Sequence, residues 1–193
     1  DYYTAARKIR RFLRIATQVS DRHPHAGSHA DTALPAPEAQ IVTVNGQIEA
    51  ARDDPNWFAE QPARLMEIFW ECARRQAPLG RATERNLVNS LHLVNDAFRS
   101  SDLVRRFFIA FCSRPFAAGF ALRQASNAGL LQRYLPEFAA VQGLIRYEDF
   151  HHFPVDEHTL RAVEALARVP HLDGSVGICL NKSLEHLPDP YIL

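Results

Sequence analysis

The chain is poor in cysteine, and nothing in the spacing pairs what there is. Cys72, Cys112 and Cys179 are the three in 193 residues, with no C-x-x-C among them. An odd, scattered set excludes a disulfide framework and fits a reducing compartment, so a cytoplasmic protein is expected. No cysteine–histidine pair has zinc-finger spacing. Cys72 and Cys112 fall inside apolar helical patterns, where a buried, inert thiol is the expectation. Long hydrophobic runs are missing too. None approaches the roughly 18–20 residues of a bilayer span, and there is no secretory segment. Excess charge of either sign is also absent: 22 basic residues face 22 acidic ones. Bulk electrostatics therefore offers no nucleic-acid partner, and composition offers no membrane. Position 1 lacks methionine. The chain opens Asp1-Tyr2-Tyr3 and closes on the apolar Tyr191-Ile192-Leu193, so a fragment of a larger protein is expected.

What is present is mostly helical pattern. Over residues 1–20, Ile9, Leu13, Ile15 and Val19 recur at helical spacing between Arg7, Lys8, Arg10, Arg11 and Arg14, which are expected to form a solvated basic face or else to contact phosphates or an acidic neighbour. Residues 21–40 read as a linker broken by Pro24, Gly27, Pro35 and Pro37. His23, His25 and His29 lie in it without carboxylates at ligand spacing, and are expected to be exposed rather than to bind metal. IVTVNGQIEA, residues 41–50, is the one β signal. Asn45-Gly46 supplies the two positive-φ positions of a type I′ turn, which predicts a short hairpin. Beyond it, Leu65, Phe69 and Cys72, widened by Met66, Ile68 and Trp70, mark a helix beginning near Pro62. Leu87, Leu91, Val94 and Phe98 make an amphipathic stripe. Asp102 is expected to cap the next helix, which buries Val104, Phe107, Phe108 and Phe111. Pro115 is expected to open another, carrying Phe116, Phe120 and Leu122. So many phenylalanines on short helices predict a mainly α fold, an irregular helical bundle with one hairpin near residues 41–50. The aromatics are core.

The polar density is in DFHHFPVDEHTL, residues 149–160. Pro154 ends what precedes it, and Asp156 and Glu157 place two carboxylates in the first turn of the following helix, where the dipole favours them. Val155, His158, Ala162 and Leu166 fall on one stripe, which predicts that His158 faces the bundle. Near a helix N-terminus its imidazole is a candidate to ligate metal. A core histidine bonded to a neighbour fits the same spacing. His151 and His152 point to opposite sides of an extended segment, so at most one of them shares a site with His158.

Three motifs in this region, L-L-x-R-Y-L-P-E-F at 130–138, Asp149-Phe150-His151 and V-D-E-H-T-L at 155–160, resemble the bifunctional PII uridylyltransferase/uridylyl-removing enzymes of bacterial nitrogen control. The hairpin, the Phe58…Pro62…Leu65…Phe69 helix and the Phe107…Pro115 segment follow that family's order, and Asp1-Tyr2-Tyr3 with Ala6-Arg7 is similar to the helix closing its nucleotidyltransferase region. The resemblance implies that residues 1–20 end a transferase region, 21–40 link, 41–148 form a helical connector, and 149–193 begin a metal-dependent HD phosphohydrolase domain. It implies His158 as the first metal ligand, with His151, Asp156 and Glu157 beside it, and a divalent metal, Mg²⁺ or Mn²⁺. It implies PII and UTP as partners of the complete protein. Pro154 departs from the family's usual Thr and removes a capping box; Phe153 departs from Tyr and removes a hydroxyl. The Gly-Ser…Asp-x-Asp loop of nucleotidyl transfer and the His-Asp doublet of the hydrolase are not in these 193 residues. No catalytic set is therefore complete, and the chain alone is expected to be silent. Two alternatives stay open: another HD-domain phosphohydrolase, or a non-enzymatic helical regulatory module.

Overall fold

The computed structural model describes residues 40–113, 117–145 and 153–166. The expected helix over 1–20, the linker up to residue 39, Pro115, Phe116, His151, His152, Cys179 and everything from 167 onward lie outside the described residues. Within them the order is β1 (Ile41–Val44), β2 (Gln47–Ala50), α1 (Trp57–Glu60), α2 (Arg64–Arg75) and α3 (Arg81–Asn89). A 3₁₀ turn over Leu91–Leu93 leads to α4 (Asp96–Ser100), α5 (Asp102–Cys112), α6 (Ala118–Asn127), α7 (Leu130–Tyr134), α8 (Pro136–Ala139) and α9 (Val155–Leu166). This is the mainly α bundle with a hairpin that the pattern predicts.

Asn45 and Gly46 take φ of 50° and 76°, the left-handed pair that a type I′ turn requires. The strands pair antiparallel from Ile41↔Ala50 to Val44↔Gln47. A hairpin of eight strand residues is marginal alone in water, and the rest of the fold holds it. Along the outer edge of β2, Ile48 donates to Pro78 O (2.8 Å) and accepts from Gly80 N–H (2.8 Å). The Ala50 N–H donates to Thr83 Oγ1 at 2.8 Å. On the β1 side, Arg75 donates to Thr43 Oγ1 and to the Ile41 carbonyl, each at 3.0 Å.

Glu49 has a second task. Gly80 is the N-cap of α3 and has no side chain to cap it; the Glu49 carboxylate does so from the strand, accepting from the Thr83 N–H at 3.0 Å and from the Thr83 hydroxyl. One of the helix's orphan donors is thus satisfied by a residue 34 positions away. The glycine is needed for space: a Cβ on Gly80 would lie 2.0 Å from Glu49 Oε1.

The centre of the bundle is α2. Leu65, Ile68, Phe69 and Cys72 are fully buried, and Met66 and Ala73 nearly so, because the helix packs on α5, α6 and β2 at once. A helix surrounded this way has little room for a polar face. Its one fully buried carboxylate, Glu71, accepts from Arg74 (2.9 and 2.7 Å) and Arg75 (2.6 Å), so the buried charge is paired. Phe107, Phe108 and Phe111 of α5 are buried as expected. Phe108 meets Phe111 edge-on at 5.2 Å and Tyr134 at 5.1 Å between ring centres.

Two local expectations are corrected. The Leu87–Phe98 stripe does not lie on one helix. The chain breaks at Ser90, whose hydroxyl donates to the Asn86 carbonyl at 2.8 Å and competes with continued helix. The four residues reach the core from α3, the 3₁₀ turn, the loop at Val94 and α4. The cap of α5 is Ser101, whose Oγ accepts from the Val104 N–H at 3.5 Å. Asp102 is instead the first helical residue and pairs with Arg105 and, at 3.2 Å, with Arg106.

Candidate functional site: helix α9 and its seat on the bundle

Helix α9 starts directly after Pro154. Its first turn is tied down on two sides: the Val155 N–H donates to Leu144 O at 3.0 Å, and Asp156 Oδ1 accepts from the Gly143 N–H at 3.2 Å. Within the helix, the His158 N–H donates to Pro154 O at 2.8 Å. The side-chain cap is absent, and one first-turn donor, the Val155 N–H, is satisfied by the Leu144 carbonyl instead.

The inner face of α9 is not the stripe that its apolar residues suggest. His158 and Ala162 are exposed, whereas Leu160 is buried and joins the common core. Around Leu160 the inner face carries Glu157 and Glu164, which share one guanidinium from α6. Arg123 Nη1 donates to Glu157 Oε2 at 2.8 Å, Nη2 donates to Glu164 Oε2 at 3.0 Å, and Nε donates to Glu164 Oε1. Gly119, one turn before Arg123, lets the helices close: a Cβ there would stand 2.9 Å from the Glu164 Cα. The spacing 157, 160, 164 is helical, but two of its three residues are charged. Reading apolar residues alone turns the helix the wrong way.

Charge state follows from these contacts. Hydrogen bonds from Arg123, and then from Arg161, hold the Glu157 carboxyl below its ordinary value. The carboxylates of Glu164 and Glu157 push Arg123 upward. Arg161 donates to Glu157 Oε1 at 2.6 Å and lies 4.0 Å over the Phe153 ring. Phe153, lacking a tyrosine's hydroxyl, supplies a π face to a cation already fixed by its ion pair.

As for metal, no group of three His, Cys, Asp or Glu side chains among the described residues stands close enough to hold an ion. Asp156 faces the Gly143 N–H and Glu157 faces Arg123 and Arg161. The described residues therefore bring Asp156, Glu157 and His158 together on one turn but do not converge them into a ligand set. His158 offers a single imidazole on an exposed surface. Sequence reasoning missed Arg123 and Gly119. Their signal was a small residue and an arginine at i, i+4, matched by two glutamates seven residues apart.

Residues 41–134, from the hairpin to the end of α7, match the family described as the uridylyltransferase GlnD third domain. These residues belong to that family. Across the whole chain, over 195 aligned residues, it is 30% identical to the bifunctional uridylyltransferase/uridylyl-removing enzyme of Pseudomonas putida, and spans 21% of that protein. It is 32% identical over 128 residues to the protein of the same name from Hydrogenovibrio crunogenus, a match covering 65% of this chain and 14% of the relative. The chain thus spans about a fifth or less of the curated relatives it matches. No solved structure matches it. Gly119 and Arg123 lie inside the GlnD third domain, and α9, which they hold, lies beyond its matched boundary.

Proposed function

We propose that the chain is the central helical part of a bifunctional uridylyltransferase/uridylyl-removing enzyme, with α9 opening an HD-type phosphohydrolase domain. The observation carrying this is the 30% identity that runs the full length of the chain, through α9, to an enzyme of that name. In this reading the complete protein acts in the cytoplasm, transfers UMP from UTP to the PII signal protein, and removes it by hydrolysis. His158 is the first ligand of a divalent metal, Mg²⁺ or Mn²⁺, whose chemistry is to activate water toward a phosphodiester. In this reading His151, Asp156 and Glu157 act beside that ligand. This chain's share is to hold and orient that imidazole; it carries out neither reaction by itself.

The test is His158→Ala in the protein as its gene encodes it. UMP removal should fall by roughly a hundredfold or more, as loss of a metal ligand would demand, while UMP transfer persists. Retention of both activities would move α9 to a regulatory role. An unrelated hydrolytic activity with no transfer would favour another HD-domain phosphohydrolase.

A further inference from the structure

The interface between α6 and α9 joins the matched stretch 41–134 to an element outside it, and it is built on ion pairs. One guanidinium serves two carboxylates that stand seven residues, about two turns, apart on α9. Arg123 reaches Glu157 at 2.8 Å and Glu164 at 3.0 Å, and the three side chains are only 27–31% exposed. A forked, partly buried cation of this kind specifies geometry as well as affinity, which a lysine cannot reproduce. Gly119 sets the distance, since any side chain would meet the Glu164 backbone. Leu160 closes the contact from below. Two anchor points seven residues apart fix both the rotation of α9 about its axis and its slide along α6.

Rotation is what matters for His158. It follows Glu157 directly, about 100° further round the helix. When Arg123 holds Glu157 inward, His158 is turned out to solvent, as found. We propose that Arg123 is a positioning residue: through Glu157 and Glu164 it locks the rotation and register of α9 on the GlnD third domain, and so fixes where His158 is presented. The inference rests on the reading of His158 as a metal ligand, and it assigns to the third domain the task of orienting a site that it does not itself contain.

The experiment uses the full gene product with Arg123→Gln, Arg123→Lys and His158→Ala. Three quantities are measured: amide exchange at residues 155–166, with α2 as the folding control; Mn²⁺ affinity by electron paramagnetic resonance; and UMP removal beside UMP transfer. In Arg123→Gln, exchange over α9 should rise at least tenfold with α2 still protected. Mn²⁺ affinity and UMP removal should fall about tenfold to a hundredfold, as for lost outer-shell support, with transfer within about twofold of the parent. Arg123→Lys should fall between, because it keeps the charge and loses the fork.

Unchanged Mn²⁺ affinity in Arg123→Gln, where His158→Ala abolishes binding, overturns the positioning role and leaves the metal reading intact. Mn²⁺ binding that survives His158→Ala overturns the metal reading itself, and the positioning of a ligand with it. Should Arg123→Gln also expose α2, Gly119→Ala and Glu164→Gln decide the matter. Each must loosen α9 and weaken Mn²⁺ while α2 stays protected, or the proposal is wrong.

Discussion

Tyr134 is a residue whose chemistry is set by its neighbours. It is buried where the rings of Phe98 and Phe108 meet, and burial, reinforced by the Cys112 thiol, pushes its phenol from 10.0 up to about 12. A raised folded value means that the contribution to stability is complete below the unfolded value and is lost as pH rises through the folded one. The fold should therefore be indifferent to Tyr134 at pH 9 and should weaken between pH 10 and 12. A spectrophotometric titration of tyrosinate should show a late step that coincides with loss of helix signal and disappears in Tyr134→Phe. Cys72 follows the same logic: burial lifts its thiol to about 12, in keeping with the inert core thiol that its place in an apolar pattern implies. Cys72 was legible in the sequence because it falls at helical spacing in the apolar pattern of Leu65 and Phe69. Arg123 was not, because what gives it meaning lies 34 residues away.

At the scale of elements, local signals were read well and tertiary ones poorly. Asn45-Gly46 dictates the hairpin turn by its own backbone preference, and α2 announces itself by carrying apolar residues on nearly every side. The break at Ser90 was hidden because Leu87, Leu91, Val94 and Phe98 remain in helical phase across it; periodicity reports which residues face the core, not whether one helix carries them all. The turn of α9 was misjudged for the opposite reason, since its inner face is built from ion pairs. Helix α3 shows how an element can depend on another for its start. Gly80→Ala would drive a methyl into the Glu49 carboxylate and break the cap on Thr83. The expected loss is about 0.5–2 kcal/mol, the usual worth of an N-cap. Glu49→Gln combined with Gly80→Ala should cost little more than either alone, because both act on one interaction. Urea denaturation of the three variants measures this.

The described residues share one core as a whole molecule. Ile41 and Ile48 of the hairpin, the α2 and α5 side chains, Tyr134 and Leu160 of α9 all belong to the same buried cluster. Phe111 sits within it, fully buried on α5. Phe111→Ala removes a ring from close packing and should cost about 3–5 kcal/mol. The hairpin and α2 should melt together in that variant, with circular dichroism and amide exchange giving one midpoint. Separate midpoints would mean that the hairpin is an appendage. The edges of the hairpin carry a further consequence. Ile48 has both backbone groups engaged by residues 78–80, the Ala50 N–H is taken by a threonine hydroxyl, and the Ile41 carbonyl is held by Arg75. An unprotected strand edge is a template on which other chains assemble. Here the contacts that dock the hairpin also occupy its β2 edge, so the same few hydrogen bonds that make a marginal sheet stable keep it from recruiting strands from other molecules into aggregates.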